Sequence, residues 1–238
     1  MRGPPALEDR DAHGVVDLVE EVSGTASVGE YARVTMAGLY DLINCIDVSY
    51  NEMVPSEGRI EWSVLPDQGD KLSEFAPVFE KLMRQNPLVR HFEDTGDTRA
   101  MMWSDFVSLD ELEKTPLYQE MFRPLGVASQ MAVTLPTPPG IIVGFAVNSD
   151  PRGFDDRDRA ILNALRPHLA HAYRAIQLRD ALAALKEGGW TGALADQEGI
   201  VESVTENESA LEAEAGIELS TGEPLPDEFR HPFRSGLV

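Results

Sequence analysis

The stretch from Pro139 to Gly188 constrains this chain more than any other, because it couples a wholly apolar strand to one very long helix. Ile141-Ile142-Val143-Gly144-Phe145-Ala146-Val147 carries no polar side chain and is rich in β-branched and aromatic types, which predicts a strand covered on both faces in the middle of a sheet. Asn148-Ser149-Asp150-Pro151-Arg152-Gly153 then stacks turn formers. Asp155 and Asp158 follow at N-cap and N3 spacing, a capping box whose carboxylates suit the positive end of a helix dipole. Ile161, Leu165, Leu169, Ala172 and Ile176 recur at intervals of three and four, and Leu178, Leu182 and Leu185 extend the stripe almost to Gly188-Gly189, the expected stop. Such a helix, spanning 155–188, runs roughly 50 Å at about 1.5 Å per residue. It outruns the sheet of a domain this size, so its distal half needs another cover, and a second copy of the chain is the economical one. A homodimer through Leu169, Ala172, Ile176, Leu182 and Leu185 is therefore expected.

The remaining sequence predicts an α+β layout, with an antiparallel sheet of about five or six strands and helices grouped beside it. Residues 1–27 are rich in Gly, Pro and acid and read as a flexible lead-in, with at most a turn or two of helix around Val15–Val19. Residues 28–44 form an amphipathic helix started by Ser27 or Glu30. The alternating segments 46–50 and 59–65 flank Pro55-Ser56-Glu57-Gly58 as a hairpin. Ser73 caps a helix that ends near Asn86-Pro87, since the residue before proline disfavours the α region. A polar loop over 91–98, an extended piece over 99–103, two short helical turns and a strand over 129–135 lead into the central strand. Beyond the long helix, residues 191–195 and 199–204 suggest a second, smaller hairpin, and 206–215 a charged helix.

Charge narrows the function. The net charge is −21, and residues 189–238 hold 11 carboxylates against two arginines. Binding to duplex phosphate rests on clustered Lys and Arg, so this chain is not expected to contact nucleic acid. No apolar run approaches the roughly 18 residues of a membrane span, and the first residues lack the order of a signal peptide, which points to the cytoplasm. A lone Cys45 permits no internal disulfide and reads as a small core side chain.

Several short words along the chain add a resemblance. Asn86-Pro87, Trp103-Ser104-Asp105-Phe106, Leu117-Tyr118, Arg123-Pro124-Leu125-Gly126-Val127, Phe154-Asp155-Asp156-Arg157-Asp158-Arg159 and Leu165-Arg166-Pro167-His168-Leu169 occur in an order that resembles the GAF-like N-terminal half of actinobacterial LuxR-type transcriptional regulators, over about residues 28–230. The resemblance implies a GAF/PAS-like sensor domain over 28–188, a degenerate PAS-like hairpin and acidic tail over 189–238, and a small-molecule ligand. Those regulators end in a basic helix-turn-helix, which this sequence lacks. Direct DNA binding is therefore not carried over, and the DNA-binding half is expected to be lost, removed or supplied by a partner.

Catalytic signatures are missing: there is no Gly-rich phosphate loop, H-E-x-x-H, G-x-S-x-G or paired Cys and His motif, and no cofactor is implied. His168 and His171 share a helix face but have no third ligand, so no metal is expected. Pro167 removes a helix hydrogen bond to the Asn163 carbonyl, which either accommodates the sheet or makes a hinge. The long irregular segment 91–126 is rich in aromatic and methionine residues, and segments of this kind over a sheet wall small-molecule cavities. Candidate wall residues are Tyr50, Trp62, Phe79, Trp103, Tyr118 and Met131, with Arg99, Asp105 and Gln130 as polar contacts and an apolar or aromatic ligand. Tyr50 and Trp62 are expected on one sheet face. The alternative is a dimerisation or scaffold module whose pocket is filled by its own side chains.

Overall fold

In a computed structural model describing residues 7–69, 71–187, 193–195, 200–204 and 222–224, strands β1 (Asp47–Val54), β2 (Arg59–Leu65), β3 (Met101–Met102), β4 (Ser129–Thr134) and β5 (Ile142–Ser149) form one antiparallel sheet. Its order is β2-β1-β5-β4-β3. The apolar run of β5 thus takes the central place, where nearly every side chain is buried. Close approach is built in at Gly144: a Cβ there would run into the Val133 carbonyl oxygen and come within 2.9 Å of Thr134 Cα.

Because adjacent strand residues point to opposite sides, the register sorts the sheet into two faces. Val48, Val147 and Met131 form a row across β1, β5 and β4; Asp47, Asn148 and Gln130 form the neighbouring row on the other side. The first face packs under helices. Tyr31 of α2 (Val28–Leu42) meets the rings of Tyr50 and Phe145 at 6.4 and 5.7 Å, and its hydroxyl donates to the Leu169 carbonyl of α6 (Asp156–Glu187) at 3.1 Å. Ser27 caps α2 by accepting from the Glu30 amide.

The expected lead-in is largely a helix, α1 (Asp9–Ser23), with Val15, Leu18 and Val22 buried at helical spacing. Glycines let it lie close to α2: a Cβ on Gly14 would strike Leu42, and one on Gly38 would strike Leu18. Arg157 at the start of α6 ties the group together, pairing with Asp11 at 2.6 Å and donating to the Leu42 carbonyl at 3.3 Å. The capping box of α6 is formed, with the Asp158 amide donating to Asp155 and the Asp155 amide to Asp158.

The second face is covered by α3 (Lys71–Leu82), α4 (Pro87–Thr95), α5 (Leu109–Leu112) and a π-helical turn, Tyr118–Phe122. Ser73 lies inside α3 rather than capping it. Residues 91–95, expected in a loop, belong to α4. The Asn86-Pro87 pair ends one helix and starts the next, with Asn86 as N-cap, Pro87 at N1 and Gly96 closing the helix in the left-handed region.

Residues 1–173 and 174–238 form two compact units. In the second unit, β6 (Ala193–Ala195) and β7 (Val201–Val204) make the expected small hairpin. The helix expected over 206–215 lies outside the described residues. No helix among the described residues is long and apolar enough to cross a membrane.

Candidate ligand cavity

The second sheet face and its cover enclose a cavity of about 70 Å³. That is several times the roughly 10–15 Å³ a single water requires. Its upper wall is apolar, formed by Phe79 from α3, Val89 and Phe92 from α4, Met121 and Phe122 from the π-helical turn, and Leu125. Trp62 closes one side, its ring 5.5 Å from that of Phe79. The π-helical turn offsets the chain by one residue, bonding Arg123 N to the Tyr118 carbonyl at 2.8 Å. Such turns recur at functional sites.

The floor is polar. Asp47, Ser49, Asn51, Gln130, Thr134 and Asn148 line it from the sheet, and Asn86 joins them from the start of α4. The side chains are wired in series. Trp103 Nε1 donates to Asn86 Oδ1 at 3.0 Å, Asn86 Nδ2 to Gln130 Oε1 at 2.8 Å, Gln130 Nε2 to Asn148 Oδ1 at 2.8 Å, and Asn148 Nδ2 to Asp47 Oδ1 at 2.6 Å. Gln68 Nε2 donates to the other Asp47 oxygen at 3.3 Å. An indole N–H can only donate and a carboxylate can only accept, so the orientation of every amide between them is forced. The series runs one way across the sheet and ends on Asp47.

Asp47 is 4% exposed. Burial pushes its carboxyl above the ordinary value near 3.8, and the donors from Asn148 and Gln68 oppose that shift only in part. It forms no ion pair among the described residues. Burial pushes the nearby Cys45 thiol up to about 12, with Asp47 and Asp158 adding to the effect. That thiol is protonated at neutral pH and a poor nucleophile. The described residues contain no group of three side chains able to hold a metal, and His168 and His171 are exposed.

Of the nine candidate ligand residues, Trp62, Phe79 and Gln130 line the cavity. Trp103 and Tyr118 sit behind its wall, with Trp103 reaching it through Asn86 and packing on Phe122 at 4.8 Å. Tyr50 and Met131 are on the opposite face. Asn51, not Tyr50, pairs with Trp62, so the expectation that Tyr50 and Trp62 share a face is corrected by one residue of register. Arg99 is exposed and paired with Asp97 at 2.6 Å, an interaction that holds Asp97 well below the usual carboxylate range. Asp105 pairs with Arg159 of α6 at 2.7 Å; burial raises its pKa, and Arg159 together with the Met102 amide outweighs that, leaving the carboxyl below its ordinary value. The sequence reading missed Asp47, Ser49, Asn51, Asn86 and Asn148. For Asp47, Ser49 and Asn51 the signal lay in the polar half of the β1 alternation, which is solvent-facing only in a strand with one bare face.

Among the expected dimer contacts, Leu169, Ala172 and Ile176 are buried within the chain and have no surface to offer a second copy. Leu182 is half-buried, and the Leu185 side chain lies outside the described residues.

No protein-family model matches the sequence, and no curated protein matches it either. Solved structures do. The ligand-binding domain of VqsR from Pseudomonas aeruginosa superposes with a TM-score of 0.55 at 14% identity, over 71% of this chain and 99% of that one. CepR2 from Burkholderia cenocepacia, described as an N-acylhomoserine lactone dependent LuxR family transcription factor, gives 0.53 at 12% identity, over 73% and 99%. A GAF domain from a Coxiella burnetii phosphoenolpyruvate-protein phosphotransferase gives 0.51 at 10% identity, over 72% and 96%. The fold is GAF-like. The chain shares with these structures a five-stranded antiparallel sheet, flanking helices and a long C-terminal helix.

Proposed function

We propose that this chain is a non-enzymatic, cytoplasmic sensor domain of a LuxR-type regulator that binds a small molecule in the cavity over the second sheet face. The observation that carries the reading is the cavity's division into an apolar wall and a polar floor whose side chains are already fixed by one another. Binding sites are built in this way, with few polar groups placed to orient a mostly apolar ligand. One structural neighbour is described as a ligand-binding domain and another as an N-acylhomoserine lactone dependent LuxR family transcription factor, which supports a sensing role at the level of fold. With a net charge of −21, the chain is assigned no contact with DNA.

In this reading the signal leaves through α6. The segment after the cavity wall is fastened to that helix at three points: Ala100 N donates to Asn163 Oδ1 at 3.0 Å, Arg159 holds Asp105, and Arg166 donates to Thr98 Oγ1 at 2.7 Å. Dimerisation, where it occurs, uses α6 beyond Ile176, with Leu178 and Leu182 as its half-buried positions. Sedimentation of the wild type and of Leu182→Glu reads this directly.

The test of the sensing role is native mass spectrometry of freshly purified protein, paired with thermal shift. A retained small molecule, or a melting point raised by a small molecule and not raised in Met121→Trp, which fills the cavity, supports it. A second reading, a scaffold domain with a filled pocket, is favoured by the cavity's modest 70 Å³. Under that reading neither measurement finds a ligand.

A further inference from the structure

The cavity's charge is as informative as its shape. Among the described residues that line it, Asp47 is the only ionisable one; every other polar side-chain group is a hydroxyl, a neutral amide or the indole N–H of Trp62. Among the described residues, no Lys, Arg or His lines it. A carboxylate or phosphate entering this space would meet a buried like charge with no counter-ion among the described residues, a strongly unfavourable arrangement at low dielectric. A cation would meet the opposite: a desolvated carboxylate whose two oxygens each accept, among the described residues, from a single neutral amide, and each carboxylate oxygen can accept more than one such bond. The Trp62 and Phe79 rings add faces that also favour cations.

The amide series reinforces this polarity. Each of its four bonds points its donor toward Asp47, from Trp103 through Asn86, Gln130 and Asn148. Amides aligned head to tail polarise one another, and the series sustains negative charge at its accepting end. Neutral amides do not neutralise that charge, however, and a ligand ammonium would.

We propose that the cavity takes a small organic amine in its protonated form, with the ammonium against the Asp47 carboxylate and a short aliphatic or aromatic body between Trp62, Phe79, Phe92 and Met121. The proposal rests on the sensing reading and gives it a ligand class. It excludes small carboxylic acids and phosphorylated metabolites, which a charge-blind apolar pocket would admit.

The test is an isosteric series titrated into the full chain at pH 7.5, followed by isothermal calorimetry and tryptophan fluorescence: butylamine and 2-phenylethylamine, 2-phenylethanol as the neutral analogue, and pentanoate and 3-phenylpropanoate as the acids. At least one amine should bind tenfold or more tighter than its isosteric acid. Asp47→Asn, which keeps a carbonyl for Asn148 to donate to, should weaken that amine at least tenfold and erase the preference over the acid. The wild-type series decides the matter even if the variant fails to fold. An acid or the alcohol binding as tightly as the amine overturns the amine assignment and leaves the sensing reading intact. Silence from every probe, together with no retained ligand in native mass spectrometry, overturns both.

Discussion

Replacing Asn86 by Ala tests whether the polar floor is held as one connected unit. Asn86 makes three hydrogen bonds through one side chain: its Oδ1 accepts from the Leu88 amide and from Trp103 Nε1, each at 3.0 Å, and its Nδ2 donates to Gln130 at 2.8 Å. Losing the first removes the N-cap of α4, a change worth about 1 kcal/mol. Losing the second strands the indole N–H of Trp103, 3% exposed, and losing the third strands the Gln130 carbonyl, 6% exposed. Each orphaned buried group costs roughly 1–3 kcal/mol. The sum is about 3–5 kcal/mol, toward the lower end of simple addition because the wall can relax a little. Urea unfolding at pH 7, followed by far-UV circular dichroism and tryptophan fluorescence, measures it. A cycle with Trp103→Phe isolates the network, since phenylalanine has no N–H to strand. Trp103→Phe should be costly in the wild type and cheaper by about 1–2 kcal/mol on the Asn86→Ala background. A loss near 1 kcal/mol for Asn86→Ala, or equal costs for Trp103→Phe on both backgrounds, would reduce Asn86 to a helix cap and refute the connected floor.

Gly144→Ala should destabilise by about 3 kcal/mol or more, the upper end of overpacking costs, because the new methyl meets the β4 backbone rather than a side chain that can turn away; an unchanged melting point would contradict the tight β4–β5 approach. Tyr31→Phe removes the buried bond to the Leu169 carbonyl and should cost about 1 kcal/mol in urea unfolding without altering ligand response, since it lies on the other sheet face. For Asp47 the folded pKa is raised, so the native state holds its proton more tightly than the unfolded state does, and stability contributed by the protonated form is lost as pH rises from near 3.8 through the raised value. Asp47→Asn should therefore gain stability relative to wild type as pH climbs through that window, with unfolding midpoints compared from pH 4 to pH 8; a difference that is flat or shrinks with pH would show that the carboxylate is not buried without a counter-charge.

What could be read in the chain, and what could not, divides by the range of the interaction that decides it. The central β5 strand, the Asp155/Asp158 box and the β1–β2 hairpin depend on neighbours within a few residues, and the sequence carries them. Helix α1 was hidden by its Gly and acid content, and it holds because Gly14 and Gly38 admit Leu42 and Leu18 across a helix crossing that only the tertiary fold creates. Arg99 and Asp105 looked like ligand contacts because they are charged groups in an aromatic segment. One is satisfied two residues away by Asp97, and the other 54 residues away by Arg159. The floor was missed for a related reason. In β1 the apolar residues of the alternation, Val48 and Tyr50, are the ones the pattern marks for burial, and the polar Asp47 and Ser49 between them carry no such mark. Yet β1 lies inside the sheet, between β2 and β5, and both of its faces are covered.

A polar row inside a covered face is a costly way to build a sheet. Apolar side chains at Asp47, Asn148 and Gln130 would bury the same area without any hydrogen bond to satisfy, and replacing buried polar groups with well-packed apolar ones is often neutral or stabilising. Here the row is retained, each side chain bonded to the next, and extended through Asn86 to Trp103, whose following residues reach Asp105 and so Arg159 of α6. Under the sensing reading the expense has a use. Asp47, the only ionisable residue among the described ones that line the cavity, and the first turns of the long helix are joined by directed hydrogen bonds and one ion pair, separated only by the short turn from Trp103 to Asp105. A ligand that takes over a lone pair of Asp47 changes the polarisation of the whole series, and the helix is the rigid element at its other end. An apolar floor would bind a greasy molecule equally well, but it would have no comparable means of distinguishing a cation from an acid or of carrying that difference toward α6.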